Sequence, residues 1–283
     1  MRPAATHFVG ILGWPLTYTL SPAIHHAAFR SIGLDWVYLT WPVPPDDLGT
    51  AVAGLRALGA RGANVTMPHK EAVLDHVDEV SGDAQAVGAA NTIQSLGGKL
   101  IAHNTDVDGF REFLVADAGT EVAGRRALVL GAGGAARAVV RALAELGAGE
   151  IAIAARDPKR AANLSALADR VETLPWAEAA AAVPRCDIIV NATPATTGAG
   201  DLLQDAAFNH EQEVVDLVYD PPTSRLVERA RASGARAWGG LGMLVHQAAA
   251  SFRIWTGQEP PIEAMSAAVV HVIGGARRHS GDE

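Results

Sequence analysis

Apolar runs of strand length alternate with alanine- and leucine-rich stretches of helical length along nearly the whole chain, and no other feature restricts the fold as strongly. A chain that reads strand, helix, strand, helix buries its helices against largely parallel sheets, so the pattern predicts an α/β protein with parallel sheets. In the first part, residues 8–12, 36–41, 63–66 and 92–96 read as strands, with helices over 23–31, 46–58 and 68–80. A helix around 106–120 leads into a second series: strand 126–130, helix 135–146, strand 151–155, helix 158–168, strands 171–174, 187–191 and 213–218, and helix 224–232. From residue 241 on, two helices split by 257–261 are expected to return to the first part. The 283 residues are enough for two domains. The expected division is 1–108, 109–240 and a carboxy-terminal pair of helices, 241–283, packing back on the first domain.

Charge and cysteine content narrow the function. A formal charge of −8 gives no long-range attraction to nucleic acid or an anionic membrane, so an anionic small molecule needs a local positive field. The single cysteine, Cys186, allows no intramolecular disulfide and no paired metal thiolates, and no metal site is suggested. The amino terminus breaks at Gly13 and Pro15 and does not read as a signal peptide, and no run approaches the roughly 18 apolar residues of a membrane helix. The expected location is the cytoplasm.

Gly131, Gly133 and Ala136 occupy the positions of a Gly-x-Gly-x-x-Gly/Ala fingerprint, directly after a strand and at the mouth of a helix. Bare backbone at Gly131 and Gly133 permits a tight turn and close approach of a pyrophosphate, whose charge the helix amides stabilise. The pattern by itself also fits a plain turn. A dinucleotide enzyme that uses NAD places an acid at the end of the second strand. Here Ala155 and Arg156 stand there, with Lys159 and Arg160 in the next turn, a set of cations suited to a 2′-phosphate. Asp157 opposes that choice by repulsion, so NADP is favoured and NAD stays open.

Ser21 and Pro22 read as a helix N-cap followed by proline at the first helical position. Thr19 points its hydroxyl to the same side, and two hydroxyls beside a helix start form a cradle for a carboxylate. Strand 63–66 runs through Asn64 and Thr66 to Pro68 and Lys70. A helix opening at Pro68 would put Lys70 in its first turn, an unfavourable field of the kind a proton-transferring amine exploits. Asp106, in the turn Asn104, Thr105, Asp106, Gly109, is either a helix cap or the partner of Lys70 across a substrate hydroxyl. Asn91 and Gln247 offer amide hydrogen bonds to the same ligand. Histidines 25, 26 and 246 read as packing or surface residues.

Taken together, stretches 13–22, 64–70, 87–92, 104–109, 131–137, 191–194, 216–226 and 240–247 resemble the shikimate dehydrogenase family along essentially the full chain. The resemblance implies a substrate domain completed by carboxy-terminal helices, a Rossmann-type NADP-binding domain, and reversible NADPH-dependent reduction of 3-dehydroshikimate to shikimate on the chorismate pathway to aromatic amino acids. It implies a catalytic pair, Lys70 and Asp106, with Thr19, Ser21, Thr66, Asn91, Tyr219 and Gln247 around the substrate. Gly131, Ala132, Gly133, Gly134 and Ala135 would hold the pyrophosphate, Arg156 and Arg160 the 2′-phosphate, with Thr193, Gly240 and Met243 near the nicotinamide. The sequence departs from the family pattern at Tyr18 and Thr19, where histidine and serine are usual, at Ala155 and Asp157 around Arg156, and at Thr196 and Thr197, where glycine and methionine are usual. These departures keep open a quinate/shikimate dehydrogenase using NAD or NADP. A non-catalytic sensor of shikimate or NADP is the rival from outside enzymes, and retention of Lys70 and Asp106 speaks against it. The expected partners are small molecules, with no nucleic acid and no membrane, and the oligomeric state is monomer or homodimer.

Overall fold

The first apolar run becomes β1 (His7–Gly13), followed by α1 (Ser21–Ser31), β2 (Trp36–Pro42), α2 (Leu48–Leu58) and β3 (Gly62–Val65). β1 pairs in parallel with both β2 and β3, as right-handed crossovers through α1 and α2 require. The computed structural model describes residues 6–194 and 203–279. The chain divides into two compact units, Met1–Thr105 with Val245–Glu283, and Asp106–Leu244.

The helix expected over 68–80 is absent. Turns occupy 67–71, a single-turn 3₁₀ helix spans Ala72–His76, and β4 (Glu79–Val80) joins the sheet beside a later strand. Sheet pairing overrides local propensity here: Asp78 N–H donates to Leu100 O at 2.9 Å, the Asp78 carboxylate accepts from Leu100 N–H at 2.7 Å, and Ser81 N–H donates to Ala102 O. Next come α3 (Gly82–Val87), β5 (Thr92–Leu96) and β6 (Lys99–His103). β5 and β6 form a hairpin about Gly97 and Gly98, whose φ values of 60° and 83° suit a tight two-residue turn. The sheet therefore runs β2-β1-β3-β5-β6-β4 and is mixed rather than parallel, with β5 antiparallel to β3 and to β6.

The second unit opens within α4 (Thr105–Glu112), which continues as a π-helical turn, Phe113–Asp117. It contains β7 (Arg126–Leu130), α5 (Gly134–Glu145), β8 (Glu150–Ala155), α6 (Pro158–Ala162), β9 (Val171–Pro175), α7 (Ala179–Ala182), β10 (Ile188–Asn191), β11 (Glu213–Asp216), α8 (Arg225–Ala232) and β12 (Arg236–Trp238). All neighbouring strands are parallel, in the order β12-β11-β10-β7-β8-β9. That is the doubly wound Rossmann arrangement, with its switch point between β7 and β10. The central strands are buried on both faces, as Leu128 to Leu130 and Ile188 to Val190 show. The helix expected over 158–168 stops at Ala162, and a 3₁₀ turn, Ser165–Leu167, takes up the rest.

The carboxy-terminal segment forms α9 (Leu241–Thr256) and α10 (Ile262–His279). Within the first unit α9 buries Ala248, Phe252 and Trp255, and α10 packs along α1 with Met265 and Val269 buried. Trp255 Nε1 donates to Ile93 O at 2.9 Å and Gln94 Nε2 to Ile254 O at 2.8 Å, which ties α9 to β5. Phe252 is fully buried against Phe29, with ring centroids 5.6 Å apart, a burial that contributes about 2 kcal/mol. Among the described residues no helix is long and apolar enough to cross a membrane.

Candidate active site

In the first unit the chemistry-bearing residues gather at one end of the sheet. Because β5 runs antiparallel to β3, the end of β3, the start of β5 and the end of β6 lie side by side, with Asn64 opposite Thr92 and Thr92 opposite His103. Asn64 is a buried polar residue in a strand whose four residues are all buried. Its Nδ2 donates to Asn91 O (3.2 Å), Thr92 Oγ1 (3.1 Å) and Ser251 Oγ (3.0 Å), and its Oδ1 accepts from the Tyr38 hydroxyl at 2.7 Å. Asn91 holds the start of α4: its Oδ1 accepts from Thr105 N–H at 2.7 Å, while its Nδ2 donates to Thr105 Oγ1 (2.9 Å) and Gln247 Oε1 (3.3 Å). Asp106 is the next residue of α4 and is 5% exposed. The sequence thus pointed to Asn91 as a ligand amide, and its position adds a second duty, fixing the backbone that carries Asp106.

Lys70 lies in the turns after β3, half-buried. Its carbonyl accepts from Ala90 N–H at 2.7 Å. The preceding residue, His69, is buried and bonds the Val43 carbonyl through Nε2 at 2.7 Å, so Nε2 carries the proton. The backbone at Lys70 is therefore fixed from both sides by tertiary contacts. Lys70 does not lie in the first turn of a helix, as its spacing from Pro68 predicts, because no helix begins at Pro68. Thr66 N–H bonds Leu12 O at 2.8 Å, setting it beside the end of β1.

Thr19 and Ser21 stand together as expected. Thr19 Oγ1 accepts from Ser21 N–H and donates to Ser21 Oγ, both at 3.2 Å. Ser21 is the first residue of α1, with Leu20 at the cap position and no side-chain capping bond, so the N-cap reading of Ser21 is corrected by one residue. Thr19 supplies an acceptor for an N–H of the first turn instead. His25 is completely buried and stacks on Tyr38, with centroids 4.5 Å apart and planes 3° from parallel. Burial, and then the neighbouring His26, lower its pKa to about 3, with Asn64 pulling weakly the other way. His26 Nε2 accepts from Tyr38 N–H at 2.9 Å, covering a backbone donor of the edge strand β2.

In the second unit Gly131, Arg156, Thr193, Tyr219 and Gly240 all follow the carboxyl ends of parallel strands, where an open α/β sheet binds its ligands. Gly131 has φ 111°, and a Cβ there would lie 3.1 Å from the Thr193 methyl and 3.2 Å from Ala192 O, so the turn at the switch point requires glycine. Gly133 is the cap of α5, and a Cβ added to it meets nothing within 4 Å. Open space beside amides that lack intrahelical acceptors fits a pyrophosphate. Ala132 is buried, and Gly134 and Ala135 start α5. Arg156, Lys159 and Arg160 are exposed after β8, and Asp157 turns its carboxylate onto Lys159 N–H (2.9 Å) and Arg160 N–H (3.3 Å) as the cap of α6. That carboxylate is engaged by backbone, which moderates the repulsion anticipated from sequence.

Asn191 and Asp216 form a buried pair that sequence reasoning covered only as segments. Asn191 Nδ2 donates to Asp216 Oδ1 at 2.8 Å, and Asn191 Oδ1 accepts from both N–H and hydroxyl of Thr193. Asp216 also accepts from Val218 N–H and from the Ser224 hydroxyl. The pair shapes the turns that carry Thr193 and Tyr219. Met243 is 8% exposed in α9. Thr196 and Thr197 lie outside the described residues. Among those residues no cluster of three or more His, Cys, Asp or Glu is placed to hold a metal ion.

Three family models match the chain: the shikimate dehydrogenase substrate binding domain over residues 11–93, shikimate / quinate 5-dehydrogenase over 114–213, and the shikimate 5′-dehydrogenase C-terminal domain over 240–270. A curated shikimate dehydrogenase (NADP(+)) of Methanothermobacter thermautotrophicus is 42% identical, covering 96% of this chain and 99% of that one. The chain belongs to the shikimate dehydrogenase family. Among solved members, Thermus thermophilus shikimate 5-dehydrogenase in complex with NADP(H) and shikimate is 38% identical with a TM-score of 0.83, over 94% of this chain and 99% of that one. Quinate dehydrogenase of Corynebacterium glutamicum in complex with NAD is 30% identical with a TM-score of 0.87, over 94% and 99%. As a shikimate dehydrogenase family member, the chain combines an α/β substrate-type domain completed by carboxy-terminal helices with a Rossmann domain.

Proposed function

We propose that this protein is an NADP-dependent shikimate dehydrogenase, reversibly reducing 3-dehydroshikimate to shikimate for aromatic amino acid biosynthesis. The observation that carries the reading is the hydrogen-bonded ordering of the residues singled out at the end of the first sheet, Thr19, Ser21, Thr66, Lys70 and Asn91, with Gln247 of α9 bonded to Asn91. The first unit takes the role of substrate domain and the second that of dinucleotide domain. Thr19 and Ser21 donate their hydroxyls to the substrate carboxylate, and Thr66, Asn91, Tyr219 and Gln247 bind its hydroxyls and ring. Lys70 gives a proton to the oxygen of the ketone as it becomes an alcohol, and removes it in the reverse direction, while the Asp106 carboxylate holds the same hydroxyl.

NADPH, when bound, supplies the hydride. Gly131 to Ala135 would receive its pyrophosphate, Arg156 and Arg160 its 2′-phosphate, and Thr193, Gly240 and Met243 would border its nicotinamide. The protein acts in the cytoplasm on small molecules, as a monomer or homodimer.

Lys70→Ala tests the chemistry. We expect kcat to fall by about 10²-fold or more with a much smaller change in KM for shikimate, because general acid–base catalysis contributes that much. An unchanged kcat removes Lys70 from the proton transfer. A second reading, a quinate/shikimate dehydrogenase using NAD or NADP, is favoured by the extra methyl of Thr19 at the carboxylate site and by the negative charge of Asp157 beside Arg156. Steady-state rates with shikimate and quinate, each with NAD and NADP, separate the two.

A further inference from the structure

We propose that Ser251 is a positioning residue for substrate binding, whose buried hydroxyl sets the place of Gln247 within the first unit. The inference rests on the reading that Gln247 binds the substrate. It adds a residue one helical turn further along α9 that acts on the substrate only through Gln247.

Ser251 is fully buried, yet its oxygen meets polar groups from four segments. It donates to Gln247 O at 3.0 Å within α9. Asn64 Nδ2 of β3 donates to it at 3.0 Å, and the hydroxyls of Thr92 in β5 and Thr105 at the start of α4 lie 2.8 Å and 3.1 Å away. A hydroxyl has one proton and two lone pairs, so these neighbours use its full capacity. The side chain of Gln247 is held separately, by Asn91. Thr105 N–H donates to Asn91 Oδ1, which fixes the orientation of that amide, so Asn91 Nδ2 is the group that faces Gln247 Oε1 at 3.3 Å. Gln247 Oε1 is thereby turned to the protein as an acceptor. Its Nε2 can only donate, which suits an oxygen of the substrate.

Apolar packing does not supply this precision. Ala248, Phe252 and Trp255 bury α9 in the first unit, but such contacts are non-directional and tolerate a small slide or rotation. The bonds from Trp255 Nε1 to Ile93 O and from Gln94 Nε2 to Ile254 O lie about two turns beyond Gln247. Ser251 brings a directional anchor to within one turn, where a displacement of about 1 Å in a ligand-binding group matters. Removing its hydroxyl strands no donor of this cluster. Asn64 Nδ2 keeps Asn91 O and Thr92 Oγ1, and the hydroxyls of Thr92 and Thr105 both turn to Asn91 Oδ1, at 3.2 Å and 3.1 Å. That oxygen already accepts from Thr105 N–H, so three donors converge on two lone pairs and draw the Asn91 amide away from Gln247.

The test compares Ser251→Ala and Ser251→Cys with the wild type in steady-state kinetics on shikimate and NADP. The thiol fills the space of the hydroxyl but is a weak donor and acceptor, so both variants should behave alike. We expect KM for shikimate to rise about fivefold, with kcat within about twofold and KM for NADP unchanged. In a Gln247→Ala background Ser251→Ala should add nothing further. An unchanged shikimate KM, equal rises in both KM values, a fall in kcat alone, or additivity with Gln247→Ala overturns the proposal. A wild-type KM in Ser251→Cys overturns it too, since volume rather than hydrogen bonding would then be what matters, and that variant carries the test if Ser251→Ala does not fold. Gln247→Ala alone separates this role from the reading beneath it. If Gln247→Ala leaves the shikimate KM unchanged, Gln247 is no substrate ligand and this proposal falls with that assignment. If it raises KM while the Ser251 variants do not, only the role of Ser251 fails.

Discussion

Replacing Asn91 by alanine should destabilise the protein by about 1–4 kcal/mol and lower kcat by about tenfold. The figure follows from what its side chain holds. Thr105 is 1% exposed, and its N–H, at the start of α4, bonds Asn91 Oδ1 at 2.7 Å. Alanine leaves that donor buried and unpaired, at a cost of about 1–3 kcal/mol. The Thr105 hydroxyl loses less, because Thr92 and Ser251 remain within 3.3 Å and 3.1 Å. The lost bond to Gln247, at 3.3 Å, adds up to about 1 kcal/mol. The main-chain bonds of Asn91 to His103 O and Val65 N–H are untouched, so the sheet itself survives. Equilibrium urea unfolding of the two proteins reads the difference as a shift in midpoint at constant slope. Asn91→Asp is the control, since it keeps an oxygen facing Thr105 N–H and should recover at least half of the loss. A loss below about 1 kcal/mol in Asn91→Ala, or an aspartate variant no more stable than the alanine one, refutes the claim that Asn91 secures the start of α4.

A Cβ on Gly240 would lie 2.1 Å from Leu217 O, and the obstacle is backbone that cannot step aside, so Gly240→Ala should lower the thermal midpoint by several degrees and weaken NADPH binding measured by fluorescence titration. An unaltered midpoint would mean that the turn after β12 is looser than its geometry indicates. His25 has a pKa of about 3 in the fold against 6.5 for the unfolded chain, so the unfolded state binds the extra proton between those values. Stability is therefore full above pH 6.5 and should decline by about 1.4 kcal/mol per pH unit from this group as pH falls below it; His25→Leu should flatten that slope in urea titrations from pH 7 to 4. Asp157→Ser keeps an oxygen for the cap of α6 while removing a negative charge beside Arg156, so KM for NADPH should fall about two- to threefold with stability unchanged within about 0.5 kcal/mol. A rise in that KM would place Asp157 in cofactor binding rather than in capping.

The alternation of apolar runs and helical stretches was enough to read the parallel strands of the second unit and the helix after its glycine pair, though not the early end of α6. Buried parallel strands leave a continuous apolar signature, and the glycine pair after β7 marks the turn that a Rossmann sheet needs at its switch point. The grouping of Thr19 with Ser21 was legible for a similar reason, since neighbours in sequence two residues apart cannot separate far in space. The failures share a cause. The segment 68–80 carries helical composition, but Asp78 and Ser81 find better partners in β6, so the backbone extends there. The hairpin about Gly97 and Gly98 has its signal in the glycine pair itself, but the surrounding pattern is that of parallel strands. Asn64 was visible as a polar residue in an apolar strand, yet nothing local says that Tyr38, Thr92 and Ser251 converge on it.

The sequence by itself determined which residues carry hydroxyl, amine and carboxylate chemistry and where most of the strands and longer helices lie, because those properties belong to single residues and short periods. Only the tertiary structure decided where these groups point. Lys70 is oriented by the carbonyl of Val43 through His69 and by Ala90, and Thr105 by the side chain of Asn91. Hydrogen bonds between residues far apart in the chain depend on the completed packing, and no local pattern encodes them.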